Sequence, residues 1–358
     1  MSEISQLLEL VSSWERIKNS GLPVFIYGMG DGCLKLMREF DKYGIAVSGI
    51  FASDEFVRGH SFQGHLVHKL SEVENTLGCG NFIIAMAFAA GYDSLIRQID
   101  EIAQRNILIV PDTDVIGVGA FTKKTLSDNI ESIEKVYSLL ADDKSRQVYV
   151  NVLKYKITGD ISFLRECCTP PDEAYANIIR PAEDEIYVDL GAYNGDTIRE
   201  LLSHTGGRYE KIYALEPDKR NFRKLSEYAE SMKNIELYNA AAWLREDTLN
   251  FNAAGGRQGK LSSKGVETAA LSVDGILQGG RATYIKYDVE GAEREALEGT
   301  EKTIEKYAPK LCVALYHRAE DIFELPVRIY EMCPKYKLYV RHYPYYPAWE
   351  TNLFAVCE

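Results

Sequence analysis

Two acids and two glycines open the chemical reading. Asp189 ends an apolar run, Gly191 follows it by two residues, and Gly195 comes four further on. A glycine turn between a strand and a helix lets a ligand approach backbone N–H groups closely. An acid just ahead of such a turn repels a pyrophosphate and suits a ligand with a cationic end. Downstream, Glu216-Pro217-Asp218 closes a second apolar run. A carboxylate at that strand tip can accept the hydrogen bonds of ribose hydroxyls. Ala240 and Ala241 after a third run are small enough to admit an adenine, and Trp243 is either a stacking partner or part of the core. A nucleoside ligand with ammonium and sulfonium charges, S-adenosylmethionine, satisfies all of these at once.

A second constellation lies at 285–293, Ile-Lys-Tyr-Asp-Val-Glu-Gly-Ala-Glu. Alternation puts Lys286 and Asp288 on one face of a strand. Charges there are costly unless paired or used. Lys286 and Asp288 therefore read either as a buried structural salt bridge or as part of the site, with Asp288 beside the transferred group, Lys286 pairing with a carboxylate or orienting the substrate, and Glu290 binding substrate hydroxyls or fixing the neighbouring loop. His317, at the tip of the next apolar run, is either an exposed turn histidine or the candidate general base, since imidazole titrates near neutrality. The run His342, Tyr343, Tyr345, Tyr346 and Trp349 is either a face for sugar rings or a loop folded onto the core. The spacings of a metal-binding His or Asp motif are missing, so no metal is expected.

These residues need a scaffold, and the pattern supplies two. Val24–Tyr27, then Gly28, Gly30 and Gly32, then a helical stretch to Tyr43 and further strands near 45–51, 81–88 and 107–111 form a small Rossmann-like domain over 1–120. Residues 121–180 carry amphipathic helices and no strand-glycine-helix unit, and read as a helical connector. Residues 181–358 again alternate strand and helix, at 185–190, 211–216, 235–240, 284–288 and 310–315. The segments 337–341 and 352–356 are expected to close the sheet edge as an antiparallel pair. The fold class is thus α/β, two doubly wound Rossmann-like domains. With 358 residues and 46% apolar composition there is material for two cores. A formal net charge of −12 and the lack of a basic run disfavour nucleic acid as a partner. Seven irregularly spaced cysteines read as reduced thiols of a cytoplasmic protein. A signal peptide and a membrane span are not expected.

Residues 183–357 resemble the FkbM-type methyltransferases. The likeness rests on 188–197 (Val-Asp-Leu-Gly-Ala-Tyr-Asn-Gly-Asp-Thr), on Ala214-Leu215-Glu216-Pro217-Asp218, on Leu271-Ser272-Val273-Asp274, and above all on 285–293 with Leu297, Gly299 and Tyr316-His317. Tyr287 departs from it, because an aliphatic residue is commoner there. The resemblance implies a class I methyltransferase fold and methyl transfer from S-adenosylmethionine, usually to a hydroxyl of a sugar or natural product. It implies cofactor binding at Asp189, Gly191, Gly195 and Glu216, and a substrate side at Asp288, Glu290 and His317. The residue reading adds Ala241 to the cofactor set. The acceptor is expected to be a small molecule, a saccharide or nucleotide sugar among the options.

The first domain resembles, less sharply, the small Rossmann-like domains that precede sugar-modifying enzymes. Gly28, Gly30 and Gly32 make a G-x-G-x-G turn, but Cys33 stands where a dinucleotide fingerprint wants glycine. Asp54 is its candidate ribose acid. A nucleotide site and a fold without a ligand both remain open. The competing functions are an NAD(P)-dependent oxidoreductase run from this domain and a non-catalytic nucleotide-binding protein.

Overall fold

Val24–Tyr27 (β1) is buried along its whole length, as a central parallel strand must be. In the computed structural model, which describes residues 2–253, 259–261 and 266–357, it lies inside a six-stranded sheet. The other strands are Gly49–Ala52 (β2), Ser61–Phe62 (β3), His65–Lys69 (β4), Ile83–Met86 (β5) and Ile107–Ile109 (β6), in the order β3-β4-β2-β1-β5-β6. β1 runs parallel to both β2 and β5. Helix Asp31–Tyr43 (α1) follows the glycine turn and ends on Gly44 in the left-handed conformation. It packs Cys33, Leu36 and Phe40 against Ile26, Ile50 and Ile83. Each such aliphatic side chain contributes roughly 2 kcal/mol on burial. Asp93–Arg105 (α2) leads into β6.

The chain divides into two compact units that alternate along the sequence. The first holds residues up to Glu134, with Arg146–Thr169 and His342–Glu350; the second holds Lys135–Ser145, Pro170–Arg341 and the stretch from Thr351. The helical residues 121–180 are thus shared between the units. The aromatic segment near 345 is a loop of the first unit. Tyr346 exchanges backbone hydrogen bonds with Ala90, and its hydroxyl donates to Asp100.

The second unit is built on a seven-stranded sheet. Its strands are Ile186–Leu190 (β7), Lys211–Leu215 (β8), Ile235–Tyr238 (β9), Tyr284–Tyr287 (β14), Lys310–Ala314 (β15), Lys337–His342 (β16) and Thr351–Val356 (β17). The order is β16-β17-β15-β14-β7-β8-β9. β17 runs antiparallel to β15, and β16 lies beside it at the edge. Between β9 and β14 the chain inserts a small sheet, Ala240–Ala242 (β10), Asp247–Ala253 (β11), Gly259–Leu261 (β12) and Val266–Leu271 (β13). After residue 292 the chain forms two short helices, Glu293–Glu298 and Glu301–Tyr307. Gly299 marks the break, where a Cβ would come within 2.1 Å of the Trp243 carbonyl oxygen. The buried Arg341 guanidinium donates to Glu173, Asp142 and Ser145, so the end of β16 is tied to two helical segments. Among the described residues, no helix is long and apolar enough to cross a membrane.

Candidate active site

The register of the second sheet sets Asp189 opposite Ala214 on one side and Lys286 on the other. Asp189 is fully buried. The hydroxyl of Thr197, in the first turn of the following helix, Asp196–His204, donates to Asp189 Oδ2. Asp189 Oδ1 is buried with no hydrogen-bond partner among the described residues. A buried carboxylate oxygen without a donor costs about 1–3 kcal/mol, so it marks a place where a ligand donor would be stabilising. Burial pushes the Asp189 carboxyl up to about 6, against the pull of Lys286 and Thr197.

The turn itself leaves little room. Gly191 has φ +86°, and a Cβ on it would stand 1.9 Å from the Asp288 carbonyl oxygen. Only glycine permits that approach. Gly195, at φ +84°, is closed in by the Tyr228 ring. Tyr193 between them holds φ +47°. Its N–H donates to Glu216 Oε2 at 2.9 Å, while Asp218 N–H donates to Glu216 Oε1 at 2.8 Å. Glu216 is 6% exposed, with each oxygen fixed by one amide and a second lone pair left over. Burial pushes its carboxyl up to about 7. That geometry fits a ribose diol, and the orphan oxygen of Asp189 fits a cationic or N–H donor. Ala241 is buried in β10, which follows β9 after Asn239. Asn239 donates to the carbonyls of Glu216 and Pro217, so it braces the ribose acid.

On the other side of Asp189 the charged tip of β14 is tightly paired. Lys286 Nζ lies 3.1 Å from Asp288 Oδ2, and Tyr316 donates its hydroxyl to Asp288 Oδ1 at 3.0 Å. Burial alone would raise Asp288, but Lys286 and His317 hold it down at about 2. Burial opposes the Lys286 charge as well, and Asp288 and Asp189 more than offset it. His317 Nδ1 is 2.8 Å from Glu293 Oε1, a carboxylate with no exposure that also accepts from Val289 N–H. His317 Nε2 lies 3.6 Å from Asp288 Oδ1 and 3.5 Å from Glu290 Oε2. Burial disfavours the charged ring, yet Glu293, Glu290 and Asp288 lift it to about 10. His317 is therefore an imidazolium at neutral pH. A general base needs the neutral ring with a free lone pair, and the Glu293 and Asp288 carboxylates beside His317 favour the opposite form.

The structure thus brings Asp189, Gly191, Gly195, Glu216, Lys286, Asp288, Glu290 and His317 to the carboxyl ends of β7, β8, β14 and β15, where doubly wound sheets bind ligands. Sequence reasoning missed Thr197, Tyr193, Glu293 and Tyr316 as supports. Glu293 opens a helix, where an acid ordinarily reads as a partner of the helix dipole. Among the described residues, no group of three His, Cys, Asp or Glu side chains is placed to hold a metal ion.

The first unit repeats the backbone without the acids. Gly28 N–H donates to Phe51 O as Gly191 N–H donates to Leu215 O, and Ala87 N–H donates to Tyr27 O as Asp288 N–H donates to Leu190 O. By that register Ile26 stands for Asp189, Ala52 for Glu216, Ala85 for Lys286 and Ala87 for Asp288. Gly32 is required by packing, since its Cβ would meet the Ala87 carbonyl oxygen at 1.9 Å, whereas Gly30 faces open space. Asp54, the ribose candidate, is exposed and accepts from the Ser71 hydroxyl at 2.6 Å.

Residues 189–342 match the model of the methyltransferase FkbM domain. A crystal structure of methyltransferase FkbM from Methylobacillus flagellatus is similar at 20% identity and a TM-score of 0.72, over 99% of this chain and 94% of that one. The likeness establishes a shared fold across both units. Fibrillarin from Aeropyrum pernix, crystallised with natively bound S-adenosyl-L-methionine, is 14% identical over 49% of this chain and 67% of that one. Its TM-score is 0.33. No curated protein matches the chain in sequence.

Proposed function

With an FkbM-type methyltransferase domain at residues 189–342 as the premise, we propose that this protein transfers a methyl group from S-adenosylmethionine to a hydroxyl of a small molecule, such as a saccharide or natural product. The observation that carries the reading is the buried, unpartnered oxygen of Asp189 beside the amide-braced carboxylate of Glu216. Glu216 would take the ribose diol, Asp189 the cationic amino-acid end, and Gly191 and Gly195 the close backbone approach. Ala241 would leave space for the base. The cofactor, when bound, supplies an electrophilic methyl on a positively charged sulfur.

This chain's own residues then order the acceptor. Asp288 is ionised and immobilised by Lys286 and Tyr316, so it orients a hydroxyl rather than exchanging its proton. The His317 imidazolium, fixed through Nδ1 by Glu293, presents Nε2 as a donor on the same side. Oxidoreduction from the first unit is disfavoured, because Ala52 and Ala87 occupy the positions where Glu216 and Asp288 make the second site polar.

Methyl-labelled S-adenosylmethionine offered with saccharides, nucleotide sugars and hydroxylated peptides tests the reaction class. Label is expected in an alkali-stable ether. Label recovered on nitrogen or carbon would sink the hydroxyl assignment and leave methyl transfer standing.

A further inference from the structure

We propose that Glu290 faces the sulfonium end of the bound cofactor and is the group that takes the proton of the acceptor hydroxyl, an inference that rests on the cofactor reading above. The acceptor oxygen forms a bond to the methyl carbon as the carbon–sulfur bond breaks. The bonding pair stays on sulfur, which becomes a neutral thioether, and the hydroxyl proton passes to the Glu290 carboxylate.

Four observations carry this. Among the described residues, the other carboxylates on the acceptor side and at the ribose acid each accept at least one hydrogen bond, whereas Glu290 accepts none. Asp288 is held by Lys286 and Tyr316, Glu293 by His317 and Val289 N–H, and Glu216 by two amides. Among the described residues, no donor makes a hydrogen bond to the Glu290 carboxylate, and its nearest cation, His317 Nε2, is 3.5 Å away. Both sides of the site act on it: His317 Nε2 on the acceptor side is 3.5 Å away, and the Glu216 charge on the ribose side also raises its carboxyl. The methyl to be transferred must lie between those two sides. Glu290 also holds φ +55°, a left-handed conformation that costs a side-chain-bearing residue about 1–2 kcal/mol and is followed directly by Gly291 at φ +93°. Such strain persists where the surrounding structure imposes an orientation. Finally, the side chain keeps 27% exposure, enough to reach a ligand, while His317 and Glu293 are closed off at 2% and 0%.

The charge balance points the same way. Burial pushes the Glu290 carboxyl up to about 8, with Asp288, Glu293 and Glu216 adding to the rise and His317 opposing it. A cation at roughly 5 Å in such a site lowers a carboxyl pKa by about two units. Binding the sulfonium would therefore convert Glu290 to the carboxylate that can accept a proton.

Calorimetric titrations at pH 7.0 in buffers of different ionisation enthalpy measure the protons released on binding, with S-adenosylmethionine and S-adenosylhomocysteine as probes. The two share ribose and amino-acid groups, so contributions from Glu216 and Asp189 cancel in the difference. A fall from about 8 to about 6 predicts roughly 0.8 more proton released with the sulfonium ligand. Glu290→Gln should abolish that excess while still binding the thioether, which also reports its fold. His317→Gln should retain it with its peak moved above pH 7, because the ring charge no longer holds Glu290 down. In the wild-type protein alone, the excess should peak near pH 7 and vanish by about pH 9.5. Equal proton release for both ligands, or an excess lost in His317→Gln and kept in Glu290→Gln, overturns the proposal. Failure of the folded protein to bind either ligand would instead overturn the cofactor reading beneath it.

Discussion

The two glycine turns share a backbone and differ in almost every chemical group. Gly28 and Gly191 each follow the first strand of a parallel sheet and donate to the matching carbonyl of the second strand. In each turn one glycine lies against the carbonyl just past the strand that flanks the first strand on its other side, Gly32 on Ala87 after β5 and Gly191 on Asp288 after β14, with the same 1.9 Å to a built Cβ. Around Gly191 the strand tips carry Asp189, Glu216, Lys286 and Asp288. Around Gly28 the same register positions carry Ile26, Ala52, Ala85 and Ala87. A glycine turn is thus a consequence of helix-on-strand packing in this fold, and what makes one a site is the set of acids at the neighbouring tips.

The comparison breaks first on the packed glycines. Gly191→Ala and Gly32→Ala should each cost about 3 kcal/mol or more in urea unfolding, because backbone must move to admit the methyl. Gly191→Ala should also remove S-adenosylhomocysteine binding from whatever protein remains folded, whereas Gly32→Ala should leave the affinity of the folded fraction unchanged. Equal loss of affinity in both would mean that the first turn contributes to the same ligand.

The acids give the next largest effect. Glu216→Ala should weaken cofactor binding about 10- to 100-fold, corresponding to two lost charge-assisted hydrogen bonds. Asp54→Ala in the first unit should change it by less than about twofold. A cofactor affinity indifferent to Glu216→Ala removes that residue from the ribose site.

Smaller and pH-dependent is the contribution of His317. Its folded value of about 10 lies above the ordinary value of about 6.5. The stability it contributes is therefore complete below about pH 6.5 and is lost as pH rises through about 10. Thermal unfolding should show a decline of several degrees across that window that His317→Gln lacks. Asp288 has the opposite sign: held at about 2, it stabilises above about pH 4 and loses that contribution as pH falls through about 2. A wild-type curve parallel to that of His317→Gln from pH 6.5 to 10 would mean that the ring is neutral, restoring it as a candidate base. Smallest of all, Gly30→Ala should cost about 1 kcal/mol from its φ of +119° alone, since nothing lies within 4 Å of the added methyl.

Much of this contrast was legible in the sequence. The buried strands at 24–27, 186–190, 211–215 and 284–287 announce themselves as short apolar runs next to glycine or acid, and their tips name Asp189, Glu216 and Asp288 directly. The small sheet at 240–271 was not legible, because β11 mixes Asp247, Thr248 and Asn250 with few apolar residues and reads as loop. Helix Asp321–Met332 is disguised by Pro326 in its interior. His317 was placed correctly at the strand tip, but its protonation depends on Glu293, whose approach to the ring is set by the turn at Glu290 and Gly291. Spacing alone cannot deliver such a contact. The equivalence of Ala52 with Glu216 likewise needs the ladder register, which sequence leaves free by a residue or two.

The most direct test of the central claim is a calorimetric titration of the full chain with S-adenosylhomocysteine, alongside Asp189→Asn and Glu216→Ala. The account predicts one equivalent bound per chain with micromolar affinity or better, at least tenfold weaker in each variant. No binding by protein shown to be folded, or binding that both variants leave intact, would contradict it.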